Sequence, residues 1–219
     1  RVHELNRMDI KNRTPIPPTV EEKLSKQLGR MIPGTRAILV TDQVQEENCG
    51  VMTVVMRDML NEVSKTVPGV PIWVDSRERG HLYEGVSLKM NLSEAQKSVG
   101  KDTNAEQAAR KLFQRNQKPV VITDGENGIA YCDRNSSGFV PALKMEPPLD
   151  IVGAGDSVLA AIGLATGIGA TLREAALIGC LAASVTIKKI GTTGTASVEE
   201  MLENLTLFEE QNPDFSLSP

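Results

Sequence analysis

A chain of 219 residues, 40% hydrophobic and 24% charged, is long enough for one well-buried domain and short for two. The net charge of −4, with no segment concentrating Lys and Arg, excludes the electrostatic footprint of a nucleic-acid binder. Three separated cysteines without CxxC spacing and two histidines without ligand-spaced partners argue against a disulfide framework or a zinc site, and no apolar run reaches membrane-span length. A reducing, cytoplasmic setting without a signal peptide fits these features.

In chain order, Arg1 stands where a Met would start a protein, which reads as a fragment of a longer polypeptide. Residues 1–20 are polar and end in Pro15, Pro17 and Pro18, an extended segment. A helical stretch around Val20–Leu28 precedes the apolar run Ala37–Val40, which closes in Thr41 and Asp42. Residues 51–66 have helical spacing, and Pro71–Val74 form a second apolar run ending at Asp75. Residues 104–116 read as helix, and Val120–Thr123 make a third run closed by Asp124 and Gly125. Short apolar strands alternating with helices predict parallel βαβ units, and their continuous hydrophobicity predicts a sheet covered on both faces. The expected class is therefore α/β with a mainly parallel sheet. Ligands of such sheets bind beyond the carboxyl ends of the strands, where Asp42, Asp75 and Asp124 would lie, although each also fits a loop cap.

Gly125 and Gly128 then turn the chain into a predicted hairpin, Ile129–Cys132 with Phe139–Leu143, tipped by Arg134–Gly138. Val158–Leu164 and Glu174–Ile187 are apolar nearly all round, the pattern of helices buried on most faces. The layout is an extended segment over 1–20, one domain over 21–208 and a tail over 209–219.

The stretch Asp150-Ile151-Val152-Gly153-Ala154-Gly155-Asp156-Ser157 carries the chemistry. Gly153, Ala154 and Gly155 would present successive N–H groups at a helix start, a site for an anion such as a transferring phosphoryl group. Asp156 would stand beside them as a carboxylate within reach of a substrate hydroxyl. Two rival motifs fail: Val158 occupies the place of the third Rossmann glycine, and Asp156 stands where a Walker loop needs Lys. A plain helix start with Asp156 as a capping residue also fits these residues.

This segment resembles the C-terminal signature of the ribokinase-like, phosphofructokinase-B type carbohydrate kinases. Val74-Asp75-Ser76-Arg77 is similar to that family's DPR segment, and Lys89-Met90-Asn91-Leu92-Ser93-Glu94 to its KPNxxE motif. Val121–Gly128 resembles its VTxGxxG strand and turn, and Gly191-Thr192-Thr193-Gly194 falls where a small-residue loop borders the nucleotide. Within the family the pattern looks closest to heptose 7-phosphate kinases of ADP-heptose synthesis. The resemblance implies a three-layer α/β/α fold and phosphoryl transfer from ATP to a sugar or sugar phosphate. It makes Asp156 the base and Gly153, Ala154 and Gly155 the anion hole. It assigns Asn91 and Glu94 to Mg²⁺-bound water and phosphate oxygens, with Glu94 reaching Mg²⁺ through water; Asn followed three residues later by Glu also fits a capping box. It places Thr123, Gly125 and Gly128 at the phosphates, Gly191 and Gly194 beside the nucleotide, and Cys180 near the adenine. Asp150 and Val152 match a loop that binds a monovalent cation such as K⁺ in several relatives.

Met90 replaces the usual proline before Asn91, Ile151 a frequent Thr, and Cys180 a common Asn. The family's N-terminal strands and small β lid have no counterpart in this chain, and residues 1–20 would be the return from them, with Arg7 and Asp9 directed to the sugar. A lid-sharing homodimer would then be a natural assembly. The acceptor could also be a nucleoside or an unphosphorylated hexose, and a non-catalytic nucleotide- or sugar-binding regulatory module is the alternative from another class.

Overall fold

The computed structural model describes Ile10 and residues 12–217. Four parallel strands, β1 (Ile38–Asp42), β2 (Ile72–Ser76), β3 (Ser87–Asn91) and β4 (Val120–Thr123), continue into the antiparallel β5 (Gly128–Cys132) and β6 (Ser137–Pro141). They lie side by side in chain order. The helices are α1 (Pro18–Met31), α2 (Val54–Thr66), α3 (Leu92–Val99), α4 (Ala105–Asn116), α5 (Ala154–Gly167), α6 (Leu172–Thr186) and α7 (Val198–Gln211).

Successive strand residues point to opposite faces, so each buried strand feeds two cores. Val40, Ile72, Val74, Leu88, Met90, Val120 and Ile122 pack under α2, α3 and α4. Trp73, Val121, Ile129 and Tyr131 face α5, α6 and Phe208 of α7. The result is the expected α/β/α layering around a mainly parallel sheet, with the carboxyl ends of β1 to β4 along one edge.

The three apolar runs form strands where expected, β1 and β2 extending two residues further to include Asp42 and Asp75 in the sheet. Other boundaries differ. Helix α1 begins at Pro18, inside the segment read as extended, because proline at the first helical turn needs no N–H partner and already has helical φ. Strand β6 starts at Ser137, within the expected hairpin tip. Helix α7 passes residue 208, and Phe215 then folds back edge-on to Phe208 with ring centroids 5.1 Å apart, so the expected tail is partly helix and partly packed. At the outer edge of the sheet β1 has, among the described residues, a single neighbour, β2. Leu39 is 40% exposed there, and Leu164 of the overlying α5 and Ile168 just after it are 70% and 80% exposed, an apolar margin.

Candidate active site

The start of α5 differs from those of α2, α3, α4, α6 and α7. Thr53, Asn91, Asn104, Thr171 and Ser197 each accept a backbone N–H at the starts of α2, α3, α4, α6 and α7. Gly153 at the N-cap of α5 has no side chain to offer, and φ +82° puts it in the left-handed region where glycine is strongly favoured. The first intrahelical bond runs from Ser157 N–H to the Gly153 carbonyl at 3.0 Å. Ala154 N–H is spent within the turn, donating to the Ile151 carbonyl at 3.2 Å. The open donors of this helix start are thus the N–H groups of Gly153, Gly155 and Asp156, a correction to the run of residues 153–155 expected from sequence. These unmet donors and the helix dipole favour an anion. Asp156 is exposed in the first turn and has no hydrogen-bond or ion-pair partner among the described residues. It caps nothing.

Two loops hold this turn. The Asp150 carboxylate accepts Val152 N–H and Gly191 N–H, both at 3.0 Å, and Asp150 N–H donates to the Ile187 carbonyl at 2.8 Å. Those two amide donors, Gly191 first, keep the Asp150 carboxyl below the usual carboxylate range. A Cβ on Gly153 would sit 3.1 Å from the Thr193 methyl group, so the Gly191–Gly194 loop lies directly against the turn. Gly194 is there for closeness as well, since a Cβ would meet Lys189 at 2.9 Å.

Below the turn, on the sheet side, Lys89 Nζ donates to Asp75 Oδ2 at 2.6 Å. Both side chains are buried, at 5% and 9% exposure, so the pair is shielded from solvent. The Lys89 ammonium lies 3.0 Å from where a Cβ of Gly155 would be. The sequence places Lys89 at the head of the segment similar to KPNxxE but gives it no role of its own.

Asn91 and Glu94 sit at the end of β3, where Asn91 is the register partner of Thr123 on β4. The capping reading is realised: Asn91 Oδ1 accepts Glu94 N–H at 2.8 Å, and Glu94 Oε2 accepts Asn91 N–H at 2.9 Å. Glu94 is half-buried, and its carboxyl is raised above the usual range chiefly by burial, then by the nearby Asp75 charge, against the lowering pull of the Asn91 amide and Lys89. A carboxylate pushed up this way would be relieved by a cation. The Thr123 hydroxyl donates to the Met90 carbonyl at 3.4 Å, and Gly125 follows in the open turn after β4 with φ +54°.

Three expected site residues have structural explanations. At Gly128 a Cβ would fall 2.1 Å from the Val140 carbonyl oxygen, so the close approach of β6 alone requires glycine. Cys180 is a correction: it is 6% exposed inside the core, its Sγ facing the Val140 carbonyl at 3.9 Å, and burial pushes the thiol up to about 12. A buried thiol offers a base no surface. Asp42 is consumed by a clamp, accepting from Arg79 at 2.7 Å, Tyr83 at 3.0 Å and Ser76 at 3.0 Å. Arg7 and Asp9 lie outside the described residues.

A mainly parallel sheet whose carboxyl edge carries an uncapped helix start and a free carboxylate suits phosphoryl transfer. Residues 32–199 match the model of the pfkB family carbohydrate kinases, and the chain belongs to that family. It is 31% identical over 209 residues to the bifunctional protein HldE of a Nitratiruptor species, and 29% over 214 residues to that of Hyphomonas neptunium. These alignments cover 91% and 94% of this chain but 42% of each HldE, so the chain spans under half the length of the curated relatives it matches. In fold it is similar to phosphofructokinase-2 from Escherichia coli (TM-score 0.72, 20% identity, 88% of this chain and 64% of that one). Ribokinase from Thermotoga maritima gives TM-score 0.65 at 20% identity, over 84% and 62%.

Proposed function

We propose that this chain is the nucleotide-binding and catalytic part of an ATP-dependent sugar kinase, acting on a sugar phosphate of heptose type with Asp156 as general base. The observation that carries the reading is the uncapped α5 start, where open N–H donors and an unpaired exposed carboxylate share one turn. Phosphoryl transfer asks for this combination: donors for charge developing on the phosphoryl oxygens, and a base to take the hydroxyl proton. The Gly153, Gly155 and Asp156 amides bind the phosphoryl group, and the Asp156 carboxylate accepts the proton of the attacking hydroxyl. The heptose class is supported by the relatives named HldE, which share 31% and 29% of aligned residues.

Mg²⁺ fits the donor set. It is usually reached through one or two carboxylates and keeps its waters, and Glu94 is a partly buried carboxyl whose ionisation a cation would favour. When bound, the metal neutralises phosphate charge; Glu94 and Asn91 would orient its water shell. Both oxygens of the Asp150 carboxylate are taken by backbone amides, which leaves the Asp150 and Val152 carbonyls as the groups for a monovalent cation. A phosphofructokinase-2 neighbour was solved with potassium. The apolar margin along β1 suits a protein partner, a second copy in a homodimer being the simplest. Among the described residues no helix is long and apolar enough to cross a membrane, and the three cysteines are free, which suits a cytoplasmic enzyme.

The test is acceptor-dependent ATP consumption by the full-length protein across heptose phosphates, hexoses, hexose phosphates and nucleosides. A heptose phosphate should give the highest kcat/KM. Failure of every sugar to stimulate ATP consumption would sink the kinase reading, and preference for a nucleoside would sink the acceptor.

A further inference from the structure

We infer that Lys89 is a further catalytic residue, whose ammonium binds the transferring phosphoryl group from the sheet side while the α5 amides bind it from the helix side. The inference rests on the phosphoryl-transfer reading and adds a charge to it. An ammonium has three N–H donors. Among the described residues Lys89 Nζ uses one, to Asp75, which leaves two without a protein acceptor on a side chain only 5% exposed. Buried donors are rarely left unmet, and a buried lysine is usually matched group for group. Here Nζ lies 3.0 Å from the position of a Gly155 Cβ, at the turn where the Gly153, Gly155 and Asp156 amides also lack acceptors. A cation beside a helix N-terminus is electrostatically unfavourable by itself, since the dipole is positive there. Two positive features converging on one small space make sense when a multiply charged anion comes between them.

Asp75 makes the arrangement stable without ligand. Its carboxylate balances the ammonium, so the protein does not hold an uncompensated buried charge. Gly155 keeps the path open, because any side chain there would press on Nζ. In the transfer step the bond between the phosphorus and the ADP oxygen breaks as the bond to the sugar oxygen forms. The sugar proton goes to Asp156, and Lys89 keeps all its protons, donating hydrogen bonds to a non-bridging oxygen. ADP lacks the group that Lys89 contacts. Lys89 should therefore distinguish ATP from ADP, which a merely structural residue would not do.

The experiment is calorimetric titration of the full-length protein with ATP and with ADP, each with Mg²⁺ and without sugar. Lys89→Met should weaken ATP by about tenfold or more, the scale of a lost charged hydrogen bond, while ADP stays within about threefold. Equal weakening of both nucleotides, or no change in either, would overturn the inference. Because Lys89→Met orphans Asp75 and could unfold the protein, Asp75→Asn/Lys89→Met removes the pair together, and the same selective loss of ATP is expected of it. Wild-type nucleotide affinities in that double variant overturn the inference as well. Absence of binding in the wild type would fail the kinase reading and this inference together. A normal turnover in Asp156→Asn beside selective ATP loss in Lys89→Met would fail the base and leave Lys89 standing.

Discussion

Helices α3 and α5 both begin at the carboxyl edge of the sheet, and they are finished in opposite ways. At α3 the side chains of Asn91 and Glu94 satisfy one another's backbone amides, a reciprocal box that closes the helix start on itself. At α5 a left-handed glycine leaves three amides open, no side chain caps them, and the one carboxylate of the first turn points to solvent unpaired. The same residue types, small or polar groups followed by an acid, thus give a stabilised terminus in one place and a receptive one in the other. What separates them is whether the acid closes on the backbone, as Glu94 does, or stays free, as Asp156 does.

The largest effect is expected at the open terminus. Asp156→Asn should lower turnover by about 10²-fold or more, the general-base contribution. Because Asp156 bonds to nothing, the thermal midpoint should change by less than about 0.5 kcal/mol in stability terms. A near-normal kcat would place Asp156 with Glu94 as a structural acid and erase the contrast. Gly153→Ala comes next. Its φ of +82° is costly for any residue with a Cβ, and the added methyl would approach Thr193 at 3.1 Å. Chemical denaturation should show a loss of about 1–2 kcal/mol.

At the closed terminus, Asn91→Ala should cost about 1 kcal/mol in the same assay, as loss of an N-cap does. Glu94→Gln keeps the box, since Gln serves equally there, and should leave the thermal midpoint unchanged. A raised Mg²⁺ requirement in that variant would show the box doing double duty; unchanged Mg²⁺ dependence would confine Glu94 to capping. The smallest effect concerns Asp150, whose folded pKa lies below its ordinary 3.8 because Gly191 and Val152 amides favour the ionised form. Its contribution to stability is complete above that ordinary value and is lost as pH falls through the lowered one. Asp150→Asn should therefore lower stability slightly near neutrality and flatten the acid limb of a pH–stability curve, the variant and wild-type curves converging as pH falls below about 4.

Much of this was legible in the residues. The runs before Asp42, Asp75 and Asp124 become strands because uninterrupted Val, Ile and Leu suit a sheet buried on both faces, and the glycines before Asp156 locate the open helix start. Strand β3 escaped detection for a physical reason: Lys89 breaks its apolar pattern, and only the three-dimensional placement of Asp75 makes a lysine tolerable in a buried strand. Helix α7 was hidden by its own surface, since Phe208 is its one fully buried residue, although Ser197 and Glu200 spell out its capping box. Cys180 shows the reverse limit. Its alignment with a nucleotide-contacting position gave no hint that α6 turns it into the core.

Trp73, the chain's single tryptophan, sits 1% exposed on β2, and its indole N–H donates to the Thr166 hydroxyl in the last turn of α5 at 2.9 Å. The other end of that helix, about 20 Å away at 1.5 Å per residue, is the uncapped turn that holds Asp156. The molecule therefore carries a built-in optical gauge on the rear of this helix. Native emission should be blue-shifted and homogeneous, and any event that lifts or tilts α5 from the sheet will be seen as a change in the light from one indole.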